Sequence, residues 1–392
     1  MSAAVAMQTP CFAVVAGETS GDLLAGLLLD GLKSRWPKCT SSGIGGPHMV
    51  QRGFDAWWPS EKLAVRGYVE VLRHYREIYQ IRNQLKVRLL ASSSPRSDLF
   101  IGIDSPDFNL DLAKALKVGG IKTVQFVCPS VWAWRAERIN TLRRSVDHVL
   151  CIFPFEPQLL AAHGITATYV GHPLAEIIPM QPDRQAARQL LNLQDSDVVI
   201  ALLPGSRKSE IDYLAPAFFQ AAALAARANP LLKFVLPAVP AQKMRIQQLA
   251  ESAGVGQLIR IVSSQSHTVL AACDVALVAS GTATLEAALF KRPMVIAYRM
   301  HWLSWRIMRR KQLQPWVGLP NILCRGFVVP ELLQGAATPQ ALADALLEWV
   351  AAKLTTPERI TALEQRFSQL HSELHRDTAK LATDAIEKIL AG

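Results

Sequence analysis

The sequence predicts an α/β protein with two Rossmann-like, parallel-sheet domains that face each other across a cleft, followed by a C-terminal helical tail. Three observations lead to this prediction. Short, nearly continuous apolar segments alternate with helical segments, as is typical of a parallel sheet covered on both faces. The same alternation starts again after residue 183. The length of 392 residues suits two domains of ordinary size.

The first domain is expected to span residues 1–173. Its predicted strands are 11–17, 41–46, 98–104, 121–127, 147–153 and 166–171. The helical segments between them are 20–35, 66–91, 107–118 and one that starts near 136. In open sheets of this kind, ligands bind at the carboxyl ends of the strands. The loops after these strands are therefore the places to look for a site.

The second domain is expected to span residues 174–355, after a proline-containing linker at 172–183. Its predicted strands are 197–203, 232–238, 258–262, 274–280 and 293–298. Its clearest helices are 210–228, 241–253 and 282–290. The tail 356–392 has an amphipathic helical pattern without strands. We expect it to pack on the first domain or on a partner subunit.

The composition limits the function classes. The net charge is +10 and is divided evenly between the two predicted domains, so it indicates anionic partners rather than a basic tail. Phosphorylated substrates or anionic lipid are favoured over nucleic acid, because no nucleic-acid-binding motif is present. The six cysteines include no C-x-x-C pair, which predicts reduced core residues in a cytoplasmic protein without a metal site. The N-terminal residues have no basic region followed by a long apolar core, and charged residues or proline interrupt the most apolar stretches, so neither a signal peptide nor a membrane span is expected.

The first predicted strand ends in the loop AGETSGD, 16–22. Gly17 and Gly21 flank Glu18, Ser20 and Asp22 just before a helix, so backbone N–H groups can approach a ligand there. The alternative is that Ser20 is simply an N-cap. The loop does not follow the G-x-G-x-x-G pattern, so a nicotinamide cofactor is poorly supported and no cofactor is expected.

Two loops of the second domain follow the same logic. ALLPGSR, 201–207, ends a strand with a glycine turn and Ser206-Arg207, and arginine offers bidentate donors to phosphate. VASGTATLEAA, 278–288, ends a strand with Ser280, Gly281 and Thr282 at the start of a helix, whose N-terminus favours a diphosphate. Glu286 lies one turn further on and could accept hydrogen bonds from a ribose diol. The alternatives are a surface arginine and a solvated glutamate.

The stretch FIGIDSPDFNL, 100–110, places two acids around a proline directly after an apolar strand. Either both acids belong to a helix cap, or one of them does chemistry. Asp104 ends the predicted strand and is the candidate for that chemistry. Asp107 follows Pro106 and is expected to cap the next helix.

The motifs, taken in order, resemble those of the lipid-A-disaccharide synthase family, whose fold is the two-Rossmann-domain GT-B type. The resemblance runs from about residue 11 to at least residue 380 and is most specific in GIDSPDFN and CPSVWAWR. The motifs that carry it are AGETSGD, GIGGPHM, VRGYVEVL, GIDSPDFN, CPSVWAWR, FPFE, GHPLAE, LLPGSR, ASGTATLE and LPN.

The resemblance implies an inverting, metal-independent glycosyltransferase at the inner face of the inner membrane of a Gram-negative-type bacterium. It would join UDP-2,3-diacylglucosamine to 2,3-diacylglucosamine 1-phosphate and release UDP. It implies Asp104 as the base, Ser206 and Arg207 as diphosphate ligands, and Asn321 as a substrate ligand. Ser280, Gly281 and Thr282 match the diphosphate loop, and Glu286 the ribose ligand. Gly17, Glu18, Ser20, Gly21 and Asp22 match the acceptor or phosphate side. A C-terminally swapped homodimer also occurs in such proteins.

Two segments have a pattern suited to an anionic membrane surface, which both lipid substrates would require. Residues 68–89 carry apolar and aromatic side chains at helical spacing beside several arginines, and 298–316 carry three tryptophans among Arg and Lys. The alternative for both is an ordinary core-facing helix. Trp132 and Trp134 are expected to flank the cleft or to lie in the core, and His172 to act as a hinge, a cap or a ligand contact. His48 and His267 are expected to have no catalytic role.

Two other functions stay open at the level of sequence. One is another GT-B enzyme acting on UDP-N-acetylglucosamine, such as the lipid I transferase or a 2-epimerase. The other is a non-catalytic membrane-binding protein. The motifs GIDSPDFN and CPSVWAWR favour the disaccharide synthase over both.

Overall fold

A computed structural model describes residues 9–63, 68–91, 96–133 and 136–392. The chain divides into two units. One contains the chain up to Glu176 together with Leu374–Gly392, and the other contains Ile177–Glu373. The C-terminal segment therefore returns to the unit in which the chain starts.

The first unit alternates strands and helices, as the apolar pattern predicts. In chain order its elements are β1 (Cys11–Ala16), α1 (Thr19–Arg35), β2 (Thr40–Gly45), α2 (Pro47–Val50), β3 (Asp55–Pro59), a 3₁₀ turn (Ser60–Lys62), α3 (Tyr68–Leu90), β4 (Leu99–Ile103), α4 (Pro106–Val118), β5 (Lys122–Phe126), α5 (Arg138–Ser145), β6 (His148–Cys151), α6 (Glu156–Ala161), β7 (Ala167–Tyr169) and α7 (Pro173–Ile177).

The strands of this unit form one parallel sheet. Across the described residues it has seven strands in the order β3-β2-β1-β4-β5-β6-β7. The strand order reverses between β1 and β4, where Ala16 pairs with Ile103. Every residue of β4 is buried, and so is β1 after its first residue, because helices cover both faces of the sheet.

The second unit repeats this architecture. Its elements are α8 (Arg184–Leu190), β8 (Val198–Leu203), α9 (Lys208–Ala228), β9 (Leu232–Ala238), a 3₁₀ turn (Pro240–Gln242), α10 (Lys243–Ser252), β10 (Ile259–Ser263), α11 (Ser266–Ala272), β11 (Val275–Ala279), α12 (Thr282–Leu289), β12 (Met294–Tyr298), α13 (Trp302–Lys311), α14 (Leu319–Cys324), β13 (Glu331–Leu333), a 3₁₀ turn (Gln334–Ala336), α15 (Pro339–Thr355) and α16 (Pro357–Leu374).

The second sheet is also parallel, with six strands among the described residues in the order β10-β9-β8-β11-β12-β13. Its order reverses between β8 and β11, where Leu203 pairs with Val278. A buried ion-pair cluster supports the opposite, amino end of β11. Asp274 there contacts Arg188, which is 1% exposed, as well as Arg184 and Lys353.

The tail differs from the single helical element that the sequence predicts. It breaks between α16 and α17 (Thr378–Ala391), where the Asp377 side chain caps the new helix by accepting from the Lys380 N–H at 2.9 Å. Only α17 belongs with the first unit, where it packs on α1: Arg35 pairs with Asp384 and Glu387. The predicted linker is also partly helical, because α7 starts at Pro173.

Two short strands, β3 and β13, escaped the sequence prediction. Both lie at sheet edges, and β13 has three half-buried residues, too few for a periodic signal. Within the ranges that the structure describes, no helix has the length and apolar character needed to cross a bilayer.

Candidate functional site

The candidate residues of the first unit lie where its strand order reverses. β1 and β4 are neighbours, and Gly17 and Asp104 follow directly after their paired last residues, Ala16 and Ile103. Connections leave the sheet in opposite directions at such a point, which opens a crevice at the carboxyl ends of the strands. The structure thus brings together two loops that are 87 residues apart in the chain.

Asp104 directly follows β4 and has an unusual backbone conformation. It and Ser105 both have positive φ angles, 50° and 35°. Left-handed conformations of residues other than glycine cost about 1 to 3 kcal/mol each and cluster at functional sites. The Asp104 carboxylate accepts hydrogen bonds from the Gly17 N–H at 3.0 Å and the Glu18 N–H at 3.2 Å. The strained turn thereby directs a carboxylate onto the loop that follows β1.

The glycines of the AGETSGD loop permit this contact. A Cβ atom on Gly21 would lie 1.8 Å from Asp104 Oδ2, and one on Gly17 would lie 2.2 Å from Ser105 Oγ. Any side chain at either position would displace the Asp104–Ser105 turn. Both glycines are therefore needed because the two loops approach closely.

The polar residues of the same loop separate into two groups. Ser20 is exposed and lies inside α1 rather than at its N-cap, which is Glu18. Asp22 is 1% exposed, and its carboxylate accepts hydrogen bonds from the backbone N–H groups of Gly46, His48 and Met49. These contacts do not support the expectation that Asp22 is a ligand, because its carboxylate fixes the start of α2.

The expected cap role of Asp107 is wrong. Helix α4 begins at Pro106, its N-cap position is Ser105, and no side chain makes the cap hydrogen bond. The Asp107 side chain is 82% exposed and pairs with Arg138. It lies in the first turn, where a negative charge still suits the helix dipole.

In the second unit, the loop after β8 presents Ser206 and Arg207 at its surface. Glu210, in the first turn of α9, accepts hydrogen bonds from the Ser206 N–H at 3.1 Å, the Arg207 N–H at 3.3 Å and the Arg207 guanidinium. Gly205 has φ of 120°, and a Cβ atom there would lie 2.6 Å from Glu210 Cβ. These backbone donors already bind a carboxylate within the protein, which shows that the loop can hold an anionic group.

The loop after β11 lies beside the first one, because β8 and β11 are neighbours at the second reversal of strand order. Gly281 and Thr282 are exposed and Ser280 is half-buried. The Thr284 hydroxyl donates to the Gly281 carbonyl at 2.7 Å and so fixes the start of α12. The N–H groups at this helix start are placed to interact with an anion.

Glu286 has a partner that the sequence did not indicate. His267 Nε2 lies 3.7 Å from Glu286 Oε2, and the imidazole packs against the Phe290 ring. Burial raises the pKa of the Glu286 carboxyl, and the nearby His267 opposes that shift. His267 lies on α11 and Glu286 on α12, so the packing of these two helices brings the pair together.

Asn321 is fully buried and its amide is used within the second unit. Nδ2 donates to the Val329 carbonyl and to Glu331, and Oδ1 accepts from the N–H groups of Val328 and Val329. Glu331 in turn accepts from the Val317 and Gly318 N–H groups, both at 2.9 Å. These contacts do not support direct binding of substrate by Asn321. They give it a role in holding the loop before α14.

The motif CPSVWAWR contributes a buried cluster rather than an exposed aromatic surface. Trp132 is 7% exposed, and its indole N–H donates to Glu156 Oε1 at 2.9 Å. Burial raises the pKa of Glu156 to about 7. Hydrogen bonds from Trp132 and from backbone N–H groups favour the charged carboxylate and partly oppose this rise. Trp134 lies outside the described residues. The apolar context of the sequence FPFE, 153–156, was the available signal for a buried glutamate.

His172 also has a structural position. It is 7% exposed, its Nδ1 accepts from the Leu174 N–H at 3.2 Å, and its own N–H donates to the Leu374 carbonyl. Burial lowers its pKa to about 4, so it is neutral at physiological pH. Of the three roles open for His172, the structure favours the cap.

The described residues do not form a recognisable metal site. An Asp-x-Asp pair, Asp195 and Asp197, precedes β8 at the amino end of the strand, and Asp197 accepts from the Gln194 N–H at 2.8 Å. Elsewhere in the described ranges, no three His, Cys, Asp or Glu side chains are grouped as metal ligands.

Comparison with known proteins identifies relatives along nearly the whole chain. The model of a family described as Lipid-A-disaccharide synthetase matches residues 12–386. A lipid-A-disaccharide synthase of Albidiferax ferrireducens is 66% identical over 381 residues, which is 97% of each chain. That of Verminephrobacter eiseniae is 63% identical over 388 residues, 98% of this chain and 99% of the relative.

Solved structures with low sequence identity share the fold. A UDP-GlcNAc 2-epimerase from Neisseria meningitidis, bound to UDP-GlcNAc, superposes with a TM-score of 0.65 at 12% identity and covers 98% of this chain and 100% of its own. A ugt transferase from Siraitia grosvenorii in complex with UDP has a TM-score of 0.60 at 11% identity, covering 97% and 99%. These similarities confirm the predicted GT-B fold class.

Proposed function

We propose how the residues of this chain divide the reaction of the lipid-A-disaccharide synthase family, to which the chain belongs. It is a glycosyltransferase of lipid A biosynthesis that uses UDP-sugar substrates. The proposed donor is UDP-2,3-diacylglucosamine and the proposed acceptor is 2,3-diacylglucosamine 1-phosphate. The acceptor 6-hydroxyl attacks the anomeric carbon of the donor sugar with inversion, and UDP leaves. The reaction needs one base and a way to stabilise the departing diphosphate.

Asp104 is the proposed base, and one observation carries this assignment. It is a carboxylate held in a strained left-handed turn where the strand order of the first sheet reverses. In its charged form it takes the proton of the acceptor hydroxyl as the new bond forms. A positioned base of this kind contributes a rate factor of about 10² to 10⁴. Gly17, Glu18, Ser20 and Gly21 form the loop beside it on the proposed acceptor side.

Charge stabilisation at the diphosphate is assigned to the second unit. Arg207, the Ser206 N–H and the start of α12 at Ser280, Gly281 and Thr282 offer positive charge and hydrogen-bond donors. Glu210 now holds the Ser206 and Arg207 donors, so the diphosphate must displace its carboxylate or share the Arg207 guanidinium with it. Glu286 is the proposed ribose ligand and His267 supports it. These groups supply charge stabilisation without requiring a metal ion.

The decisive assay is UDP release from the two proposed substrates without divalent metal. We expect turnover by the wild-type chain and a loss of about 10² or more in Asp104→Asn, with UDP binding retained. Normal turnover by Asp104→Asn would contradict the base assignment. Formation of an epimerised UDP-sugar instead of a disaccharide would favour the 2-epimerase alternative.

We propose that α13 docks on an anionic membrane surface at the inner face of the inner membrane. Its apolar residues Trp302, Leu303 and Ile307 are 65%, 49% and 51% exposed, and Arg309 and Arg310 are exposed beside them. Aromatic and basic side chains on one short helix suit a lipid interface. The earlier segment is less suited, because Leu85 and Leu89 of α3 are buried. The side chains of residues 68–75 lie outside the described part of the chain.

Sedimentation with vesicles tests the docking proposal. Binding to phosphatidylglycerol vesicles should weaken as salt rises, and the double variant Arg309→Gln/Arg310→Gln should bind less at low salt. Arg143→Gln/Arg144→Gln, which removes two charges from α5, is the matched control and should bind as the wild type does. Binding that is independent of salt and of Arg309 and Arg310 would contradict the electrostatic part.

A C-terminally swapped homodimer stays a proposal. Within one chain, α17 packs on α1 and Lys122 Nζ donates to the Ile389 carbonyl at 2.6 Å, so a swap would exchange these contacts for equivalent ones from a second copy. Light scattering of the purified chain distinguishes a dimer from a monomer.

A further inference from the structure

Two buried amide side chains meet at the backbone carbonyl of Asp104. Asn109 Nδ2 lies 3.0 Å from this oxygen and Gln125 Nε2 lies 3.2 Å from it. Asn109 is 0% exposed and Gln125 is 1% exposed. They come from α4 and β5, so two separate elements fix the same peptide group.

The orientation of both amides follows from their surroundings. Asn109 Nδ2 also lies 3.1 Å from the Ile103 carbonyl, and Gln125 Nε2 also lies 3.2 Å from the Phe126 carbonyl. Because only the amide nitrogen can donate to a carbonyl, the nitrogen of each side chain must face Asp104. Gly102 provides the room, since a Cβ atom there would lie 2.8 Å from Asn109 Cβ and 3.0 Å from Gln125 Oε1.

This arrangement is not the one that stability alone would select. Asn109 Oδ1 and Gln125 Oε1 are buried and accept no hydrogen bond from any residue that the structure describes. Buried acceptors without donors are unfavourable, and their occurrence in a native protein calls for an explanation such as a functional role. Both amides satisfy the carbonyl of Asp104 and leave their own oxygens unsatisfied.

We propose that Asn109 and Gln125 are positioning residues that hold the Asp104 carboxylate in its productive direction. With φ angles of 50° and 35°, Asp104 and Ser105 occupy a conformation that an unrestrained chain rarely adopts. Fixing the Asp104 carbonyl fixes the rotation of the strained turn, and with it the direction of the side chain. This inference rests on the proposed role of Asp104 as the base.

The first test replaces each amide with an apolar side chain of similar size, which removes the hydrogen-bond donor. Asn109→Leu and Gln125→Met should each lower kcat by about 10- to 100-fold, because a misplaced catalytic group slows the chemical step. The KM values for donor and acceptor should stay unchanged. Thr123→Val is the matched control: Thr123 is buried on the same strand and bonds to Ser145 and Asp147 away from Asp104, so its loss should leave kcat unchanged. A folded Gln125→Met variant with wild-type kcat would overturn the inference, even if Asn109→Leu does not fold.

A double-mutant cycle separates positioning from general structural damage. If Gln125 acts through Asp104, then Gln125→Met should cost little further rate in an Asp104→Asn background. An equal loss in both backgrounds would overturn the inference and leave the base assignment intact. Normal turnover by Asp104→Asn alone would overturn the base assignment and this inference with it. Single-turnover UDP release at high enzyme concentration gives the sensitivity that the slow variants need.

Discussion

Replacing Gly21 by alanine tests whether the close approach of two loops controls the reaction. The new Cβ atom would lie 1.8 Å from Asp104 Oδ2 and 2.6 Å from its Cγ. Non-bonded atoms prefer separations of about 3.5 Å, so the carboxylate must move by more than roughly 1 Å. A displacement of this size can lower the rate by about 100-fold. We therefore expect Gly21→Ala to have about 1% of wild-type kcat.

The same substitution has a calculable effect on stability. Moving the carboxylate weakens its hydrogen bonds to the Gly17 and Glu18 N–H groups, each contributing about 1.5 to 3 kcal/mol because the acceptor is charged. Alanine gains up to about 1 kcal/mol in helix propensity at this position of α1. The free energy of unfolding should therefore fall by about 2 to 5 kcal/mol. Urea denaturation measures this, and UDP release measures the rate.

Gly26 provides the matched control on the same helix. A Cβ atom there would lie 3.0 Å from Arg52 Nη1, at the end of a long side chain that is 27% exposed and pairs with Asp30. Gly26→Ala should therefore change the free energy of unfolding by less than about 1 kcal/mol and keep the wild-type rate. If Gly21→Ala also turns over at the wild-type rate, then the position of the Asp104 carboxylate does not control the rate, which would contradict the proposed importance of the close approach.

Three further predictions concern single carboxylates. Burial raises the folded-state pKa of Glu156 to about 7, so stability is lost as pH rises from about 4.5 to about 7. Between pH 5 and pH 7 the free energy of unfolding of Glu156→Gln, measured by urea denaturation, should change by about 2 kcal/mol less than that of the wild type, and an equal change would contradict this cause. Asp274→Asn should lower the free energy of unfolding by about 3 to 5 kcal/mol, because it leaves the buried Arg188 charge without its anionic partner. Arg184→Gln should lower it by less than about 1 kcal/mol in the same assay, because Arg184 is partly exposed. Glu286→Gln should weaken UDP binding by about 10- to 100-fold in calorimetry and abolish the preference for UDP over 2′-deoxy-UDP; a retained preference would exclude the ribose role.

The sequence predicts the sheet strands of this fold well because both sheets are parallel and buried. β4 and β11 consist of five buried residues each, so their apolar runs are visible without any knowledge of packing. The loops after them were predictable for the same reason, since each begins where such a run ends. The short edge strands β3 and β13 carry half-buried or exposed residues and lack that signal.

The roles of individual polar residues were less predictable. A motif shows that Asp22 and Asn321 matter, but it does not show whether a side chain faces a ligand or the backbone of its own unit. Both turned out to be saturated by contacts inside the fold. The pairs Trp132–Glu156 and His267–Glu286 join different elements, and no local pattern specifies such distant partners.

The return of α17 to the unit where the chain begins has a consequence for biosynthesis. The ribosome makes α1 well before α17, because the whole of Ile177–Glu373 lies between them in the chain. The second unit is continuous in the chain and can complete its contacts as it emerges. The face of α1 that binds α17 instead stays uncovered until α17 has been made. That face includes Gly31, where α17 packs so closely that a Cβ atom would lie 2.7 Å from the Ala379 carbonyl. We therefore expect chaperones to bind this uncovered face of α1 on nascent chains, and slower translation should prolong that binding.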